Sequence, residues 1–181
     1  MTARSGERQD RVASLRRDFD ESFARPGSTG EAPRERFLTL CVADVAYAVR
    51  LEQVAALHAD RRVVPLPSGT PALLGVAGFR GSVVPVYRLD LLLGLAESAP
   101  ARWLILSPGP DPVALAFHRY EGPREVAPAE LHPALPEAWS SAGLVTHTLS
   151  LSGELRSVLS VPALVELIRR RIAAPLHRKE P

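Results

Sequence analysis

The chain has a single cysteine, a single methionine and a single lysine among its 181 residues, and aromatic side chains make up only 6% of it. With Cys41 alone, an intrachain disulfide is excluded, as are metal sites built on paired cysteines. Cys41 reads as a small hydrophobe inside a strand and fits a reducing, cytoplasmic setting. No apolar run approaches the ~20 residues that span a bilayer, so direct membrane insertion is not expected. Met1 to Asp10 is polar and charged and lacks the apolar core of a signal peptide. An excess of either charge is missing too: the formal net charge is +2, which gives no global reason to expect a nucleic-acid partner.

Catalytic patterns are missing as well. His58, His118, His132, His147 and His177 are scattered, and none lies at metal-ligand spacing from another His, Cys or carboxylate. His147 with Ser141 or Ser150 lacks a Gly-x-Ser-x-Gly elbow and an Asp to orient it. Gly75-Val76-Ala77-Gly78 lacks the spacing of a phosphate cradle, and its glycines read as close strand packing or a bulge. Trp103 and Trp139 are not interleaved with basic residues as a single-strand nucleic-acid groove would require. No catalytic, metal or cofactor residue is therefore expected, and the chain reads as non-enzymatic. The alternative of another class is a small all-β ligand-binding protein or enzyme.

What is present is a succession of short apolar runs punctuated by turns. Between Glu7 and Arg25, Val12, Leu15, Phe19 and Phe23 recur at helical spacing, and Pro26-Gly27 ends that pattern. This stripe docks on its own domain or binds a partner; the sequence leaves both open. From Arg36 the period becomes strand-like. Hairpins are predicted about Ala43-Asp44, Arg80-Gly81, Pro108 to Asp111 and Ser152-Gly153. Leu51, Val54 and Ala55 have the spacing of a short helix, and Pro71 to Leu74 that of one helical turn. Val63 to Pro67 is extended, Leu89 to Gly94 is a short helix, and a strand runs from Arg119 to Val126. Residues 127–142 read as an irregular loop, and a final helix runs from about Pro162 to Ile172. Arg169-Arg170-Arg171 at its end suits the helix dipole. Many short strands with Gly/Pro turns indicate small barrels or a sandwich rather than a doubly wound α/β sheet.

The segment Gly75 to Gly94 resembles the signature of the CheW family of bacterial chemotaxis coupling proteins, in which Asn-Leu-Arg-Gly leads into Val-x-Pro-Val-x-Asp-Leu. Phe37-Leu38 with Tyr47-Ala48-Val49, Val64-Pro65-Leu66-Pro67, Val113 to Val126 with Gly122 in register, and Gly153-Glu154-Leu155 through Leu164 are similar to the family's other segments, in order, over residues 36–170. The resemblance implies a mainly β fold of two SH3-like five-stranded barrels sharing a core, with short helices and a C-terminal helix. It divides the chain into an extension at 1–34, a CheW-like domain at 35–172 and a basic tail at 173–181. It also implies a scaffold that binds the tip of a methyl-accepting chemoreceptor and, in the family, the CheA-type histidine kinase. The partner-binding positions it assigns are Val54, Ala56, Phe79, Arg80, Gly81, Arg88 and Asp90. Four departures stand out: Ala56 in place of an acidic residue, Arg88-Leu89-Asp90 in place of Asp-Leu-Arg, His118 in place of Asp, and Ser160 in place of Asp. They imply weak or no kinase coupling; the alternative is a full coupling protein that bridges receptor and kinase.

Overall fold

The computed structural model describes residues 33–97, 99–134 and 143–173. All of these but Pro33 belong to the unit Arg34–Pro181. The amphipathic stretch between Glu7 and Arg25, Trp139 and the tail beyond residue 173 lie outside the described residues.

Among the described residues, eleven strands form two sheets. β1 (Glu35–Val42) and β2 (Val45–Arg50) make the first hairpin. Its turn places Ala43 and Asp44 at φ 48° and 63°, the left-handed pair that matches strand twist in a two-residue loop. β3 (Ala56–Ala59), β4 (Leu73–Phe79) and β5 (Ser82–Arg88) follow, and α1 (Leu89–Leu92) ends at Gly94, φ 74°. The second half repeats this order with β6 (Trp103–Leu106), β7 (Ala114–Phe117), β8 (Arg119–Val126), β9 (Leu131–Pro133), β10 (Val145–Leu151), β11 (Glu154–Leu159) and α2 (Val161–Ala173).

The two halves exchange hairpins. β1 and β2 join a sheet of order β8-β1-β2-β11-β10-β9, whereas β6 and β7 join β3-β6-β7-β5-β4. In each sheet the second strand of the exchanged hairpin runs parallel to its new neighbour, β2 with β11 and β7 with β5. The same scheme, hairpin, strand, hairpin, helix, is thus written twice along the chain.

Strand alternation then divides the apolar residues among three clusters. Leu38, Leu40, Tyr47 and Val49 of one sheet meet Tyr87, Ile105, Leu115 and Phe117 of the other in a shared core. The opposite faces bury private cores: Phe37, Ala48, Val126, Leu149 and Val158 in one sheet, and Ala77, Phe79, Val84, Val86, Leu104 and Ala116 in the other. Burial on both faces explains why β7 is apolar at every position.

α2 seats Val161, Leu164 and Ile168 in the shared core, all at most 2% exposed. Its first turn is held from two sides. Ser160 Oγ accepts the Ala163 N–H at 3.2 Å, and Gln53 Oε1 accepts the Val161 N–H at 3.0 Å. Ser160 thus does the capping that an Asp would do there, so this departure is neutral for the fold.

Three local expectations are corrected. Leu51–Gln53 is a single 3-10 turn, and the chain then becomes strand β3, because Ala55 to Ala59 bond along β6. Pro71 and Ala72 form a turn, but Leu73 and Leu74 already belong to β4, paired to β5. Within 127–142, Pro128–Glu130 is a 3-10 turn and Leu131–Pro133 pairs with β10, which gives that sheet six strands instead of five. Three residues are too few to show a period, so only the pairing partner reveals such a strand.

A candidate partner-docking surface

The β4–β5 turn sets the site. Phe79 and Ser82 close the hairpin, and Arg80 and Gly81 hold φ 46° and 84°. A Cβ on Gly81 would meet nothing within 4 Å, so glycine is required by the angle and not by space. Arg80 is exposed, as a charged residue at a hairpin tip must be, yet a left-handed conformation is unfavourable for it.

Phe79 points the other way. It is 4% exposed and floors the private core of its sheet. The His58 ring rests on it at 5.0 Å between centroids, tilted by 51°, and the Arg61 guanidinium lies 5.4 Å from its centre. Ala56 and His58 alternate onto the same face of β3. Burial, then the charges of Arg61 and Arg80, hold the His58 pKa below the ordinary imidazole value. Among the described residues, neither Arg61 nor Arg80 has an ion-pair partner. This end of the sheet is therefore a cationic surface laid over an aromatic ring.

Beyond the turn, Val83 and Pro85 lie on the face of β5 that carries Tyr87 into the shared core. With Pro110, Pro112, Val113 and the α2 residues Ile168 and Ile172 they line an open groove of about 560 Å³. The helix stripe explains it. Ile172 continues the face of Leu164 and Ile168 past the end of the core and is 60% exposed. Val83, across the groove, is 74% exposed. Adjacent exposed aliphatics of this kind mark interaction surfaces more than scattered ones do. Sequence reasoning assigned neither residue, although the α2 stripe running on to Ile172 was visible.

Arg88 and Asp90 are not part of any surface. They are 8% and 3% exposed. Arg88 Nε and Nη2 donate to Asp90 Oδ1 and Oδ2 at 3.1 and 2.7 Å, and Nη1 donates to Glu97 Oε1 at 2.7 Å. Asp90 Oδ1 also accepts the Leu91 N–H at 2.8 Å. The hydrogen bond to Asp90 raises the Arg88 pKa above its already high value despite burial. The reversed pair is thus a buried ion pair and not a feature of the surface. Arg88 ends β5, Asp90 opens α1, and the fork satisfies both charges inside the protein. Val54 is half-buried and packs at the rim of the shared core. Of the seven positions assigned from sequence, Arg80 and Gly81 are exposed at the β4–β5 turn, and Val54 and Ala56 are half-buried at β3 and just before it.

With this geometry in view, residues 36–169 match the family model described as the CheW-like domain. The chain belongs to the CheW-like domain family. Its fold is similar to the crystal structure of the scaffolding protein TtCheW from Thermoanaerobacter tengcongensis, with a TM-score of 0.66 at 15% identity, covering 75% of this chain and 94% of that one. No curated protein matches the sequence. This CheW-like domain has an exposed Arg-Gly turn and a buried Arg88–Asp90 pair. No helix among its described residues is long and apolar enough to cross a membrane.

Proposed function

We propose that this CheW-like protein is a non-enzymatic scaffold of a bacterial chemosensory pathway, and that it binds the helical cytoplasmic tip of a methyl-accepting chemoreceptor. The observation that carries this reading is the groove between Val83 and Ile172, which opens directly beside the Arg80 turn. The groove offers a few aliphatic anchors to one face of a helix, with Arg169 and Asp111 in its lining and Arg80 at the adjoining turn. Partner helices would contribute aliphatic side chains to the centre and carboxylates to the rim.

Kinase coupling is a second reading, supported by the burial of Arg88 and Asp90. With that pair inside the protein, Ala56, half-buried on β3, is the position where loss of the family's acidic residue bears on kinase binding. We propose weak binding of the CheA-type kinase regulatory domain, strengthened by Ala56→Glu.

The test is a titration of the full chain against an immobilised receptor cytoplasmic fragment and, separately, the kinase regulatory domain. Receptor binding that is lost in Val83→Asp supports the reading. Binding to neither partner at tens of micromolar, in protein shown to be folded, contradicts it.

A further inference from the structure

A cluster outside the docking surface joins residues that sequence spacing keeps apart. Cys41, Asp44 and His118 each offer one donor atom, and these atoms all lie within 4.8 Å of one another. We propose that Cys41, Asp44 and His118 form a zinc-binding site.

The fold positions all three firmly. Cys41 sits near the end of β1, 1% exposed, and pairs in register with Arg119 at the start of β8. His118 is the single residue between β7 and β8, where the chain passes from one sheet to the other. Asp44 occupies the tight β1–β2 turn and is exposed, so its carboxylate is free to adjust. The Nδ1 of His118 is buried and has no hydrogen-bond partner, a position a histidine rarely holds unless something ligates or bonds it.

The donor set selects the metal class. One thiolate, one imidazole and one carboxylate match zinc, whose ligand distances place such donors about 3–4 Å apart and leave a fourth tetrahedral position for water. The sulfur argues against calcium and magnesium, which take oxygen ligands. Arg119 Nη2 donates to Cys41 Sγ at 3.1 Å, so the sulfur already acts as an acceptor in this cluster. Arg119 is itself largely exposed and lies 3.6 Å from Glu121, so it has an alternative partner when a metal takes the sulfur. Bound zinc would clip the first hairpin turn to the link between the two sheets.

The experiment is a competition titration of Zn2+ into the metal-free full chain with a chromogenic chelator, together with Co2+ spectra. The expected result is roughly one metal per chain and a thiolate-to-cobalt charge-transfer band, with affinity reduced about tenfold or more in His118→Gln and in Cys41→Ser. Asp44→Asn keeps a residue that tolerates the left-handed turn. It should weaken binding at unchanged circular dichroism, which guards against loss by misfolding. Zinc should raise the melting temperature of the wild type and not of Cys41→Ser. Absence of binding at micromolar metal, or equal binding by wild type, Asp44→Asn and His118→Gln, would overturn the assignment.

Discussion

Arg80 sits where its backbone does not favour it, and that separates its two roles. If its side chain serves docking alone, Arg80→Asn should leave stability unchanged or raise it by up to about 1 kcal/mol, because Asn accepts the left-handed turn more readily. The same variant should weaken receptor binding. Chemical denaturation with a parallel binding titration checks both, and a loss of stability would assign Arg80 a structural role instead. Arg88 behaves in the opposite way. Arg88→Ala strands the Asp90 carboxylate inside the protein and should cost about 3–5 kcal/mol, whereas replacing both partners by aliphatic residues should cost less. The depressed histidines add a pH dependence. His58 and His147 have folded pKa values below the ordinary imidazole value of about 6.5, each first because of burial, then because of Arg neighbours. The unfolded chain therefore binds more protons just below 6.5. Stability should be full above that pH and should fall as the solution is acidified through 6 toward 5. Urea midpoints at pH 7.5 and 5.5 measure it, and equal midpoints would contradict the shifts.

At the scale of elements, the β4 edge shows how one glycine fixes a crossing. Gly75 has φ 146°, at an irregularity in the β4–β5 register, and Val64 bonds to Val76 through both backbone groups. A Cβ at Gly75 would lie 2.1 Å from the Val64 carbonyl oxygen. Gly75→Ala should therefore cost about 2–3 kcal/mol and release the Val63–Pro67 segment, seen as faster amide exchange at Val76. Hairpins were legible in the sequence because their turns are chemically marked: Ala43-Asp44, Arg80-Gly81 and Ser152-Gly153 fall where the structure turns. α2 was legible from its stripe. β3 was misread because Leu51 and Val54 show helical spacing while Ala56 to Ala59 take their shape from β6. The buried Arg88–Asp90 fork and the Cys41–Asp44–His118 cluster were illegible for the same reason. Both depend on which elements meet, and the burial or the neighbour is not encoded in local spacing.

For the whole molecule, exchange of hairpins makes the two sheets interdependent. The sheet of β1, β2 and β8 to β11 cannot form from one contiguous stretch, and the shared core takes residues from both sheets and α2. The domain should unfold in one step, with Trp103 fluorescence and far-ultraviolet dichroism following one curve. Separate transitions would show that the sheets are independent. The groove exists only in the assembled domain, because β5, the β6–β7 turn and α2 come from three parts of the chain. The most direct measurement is binding of the full chain to a chemoreceptor cytoplasmic fragment by calorimetry, wild type beside Val83→Asp and Ile172→Asp. Both side chains are exposed, so neither change should unfold the domain. The account predicts binding by the wild type and a loss of about tenfold or more in each variant. Equal affinity in all three proteins would show that receptors dock elsewhere and would contradict it.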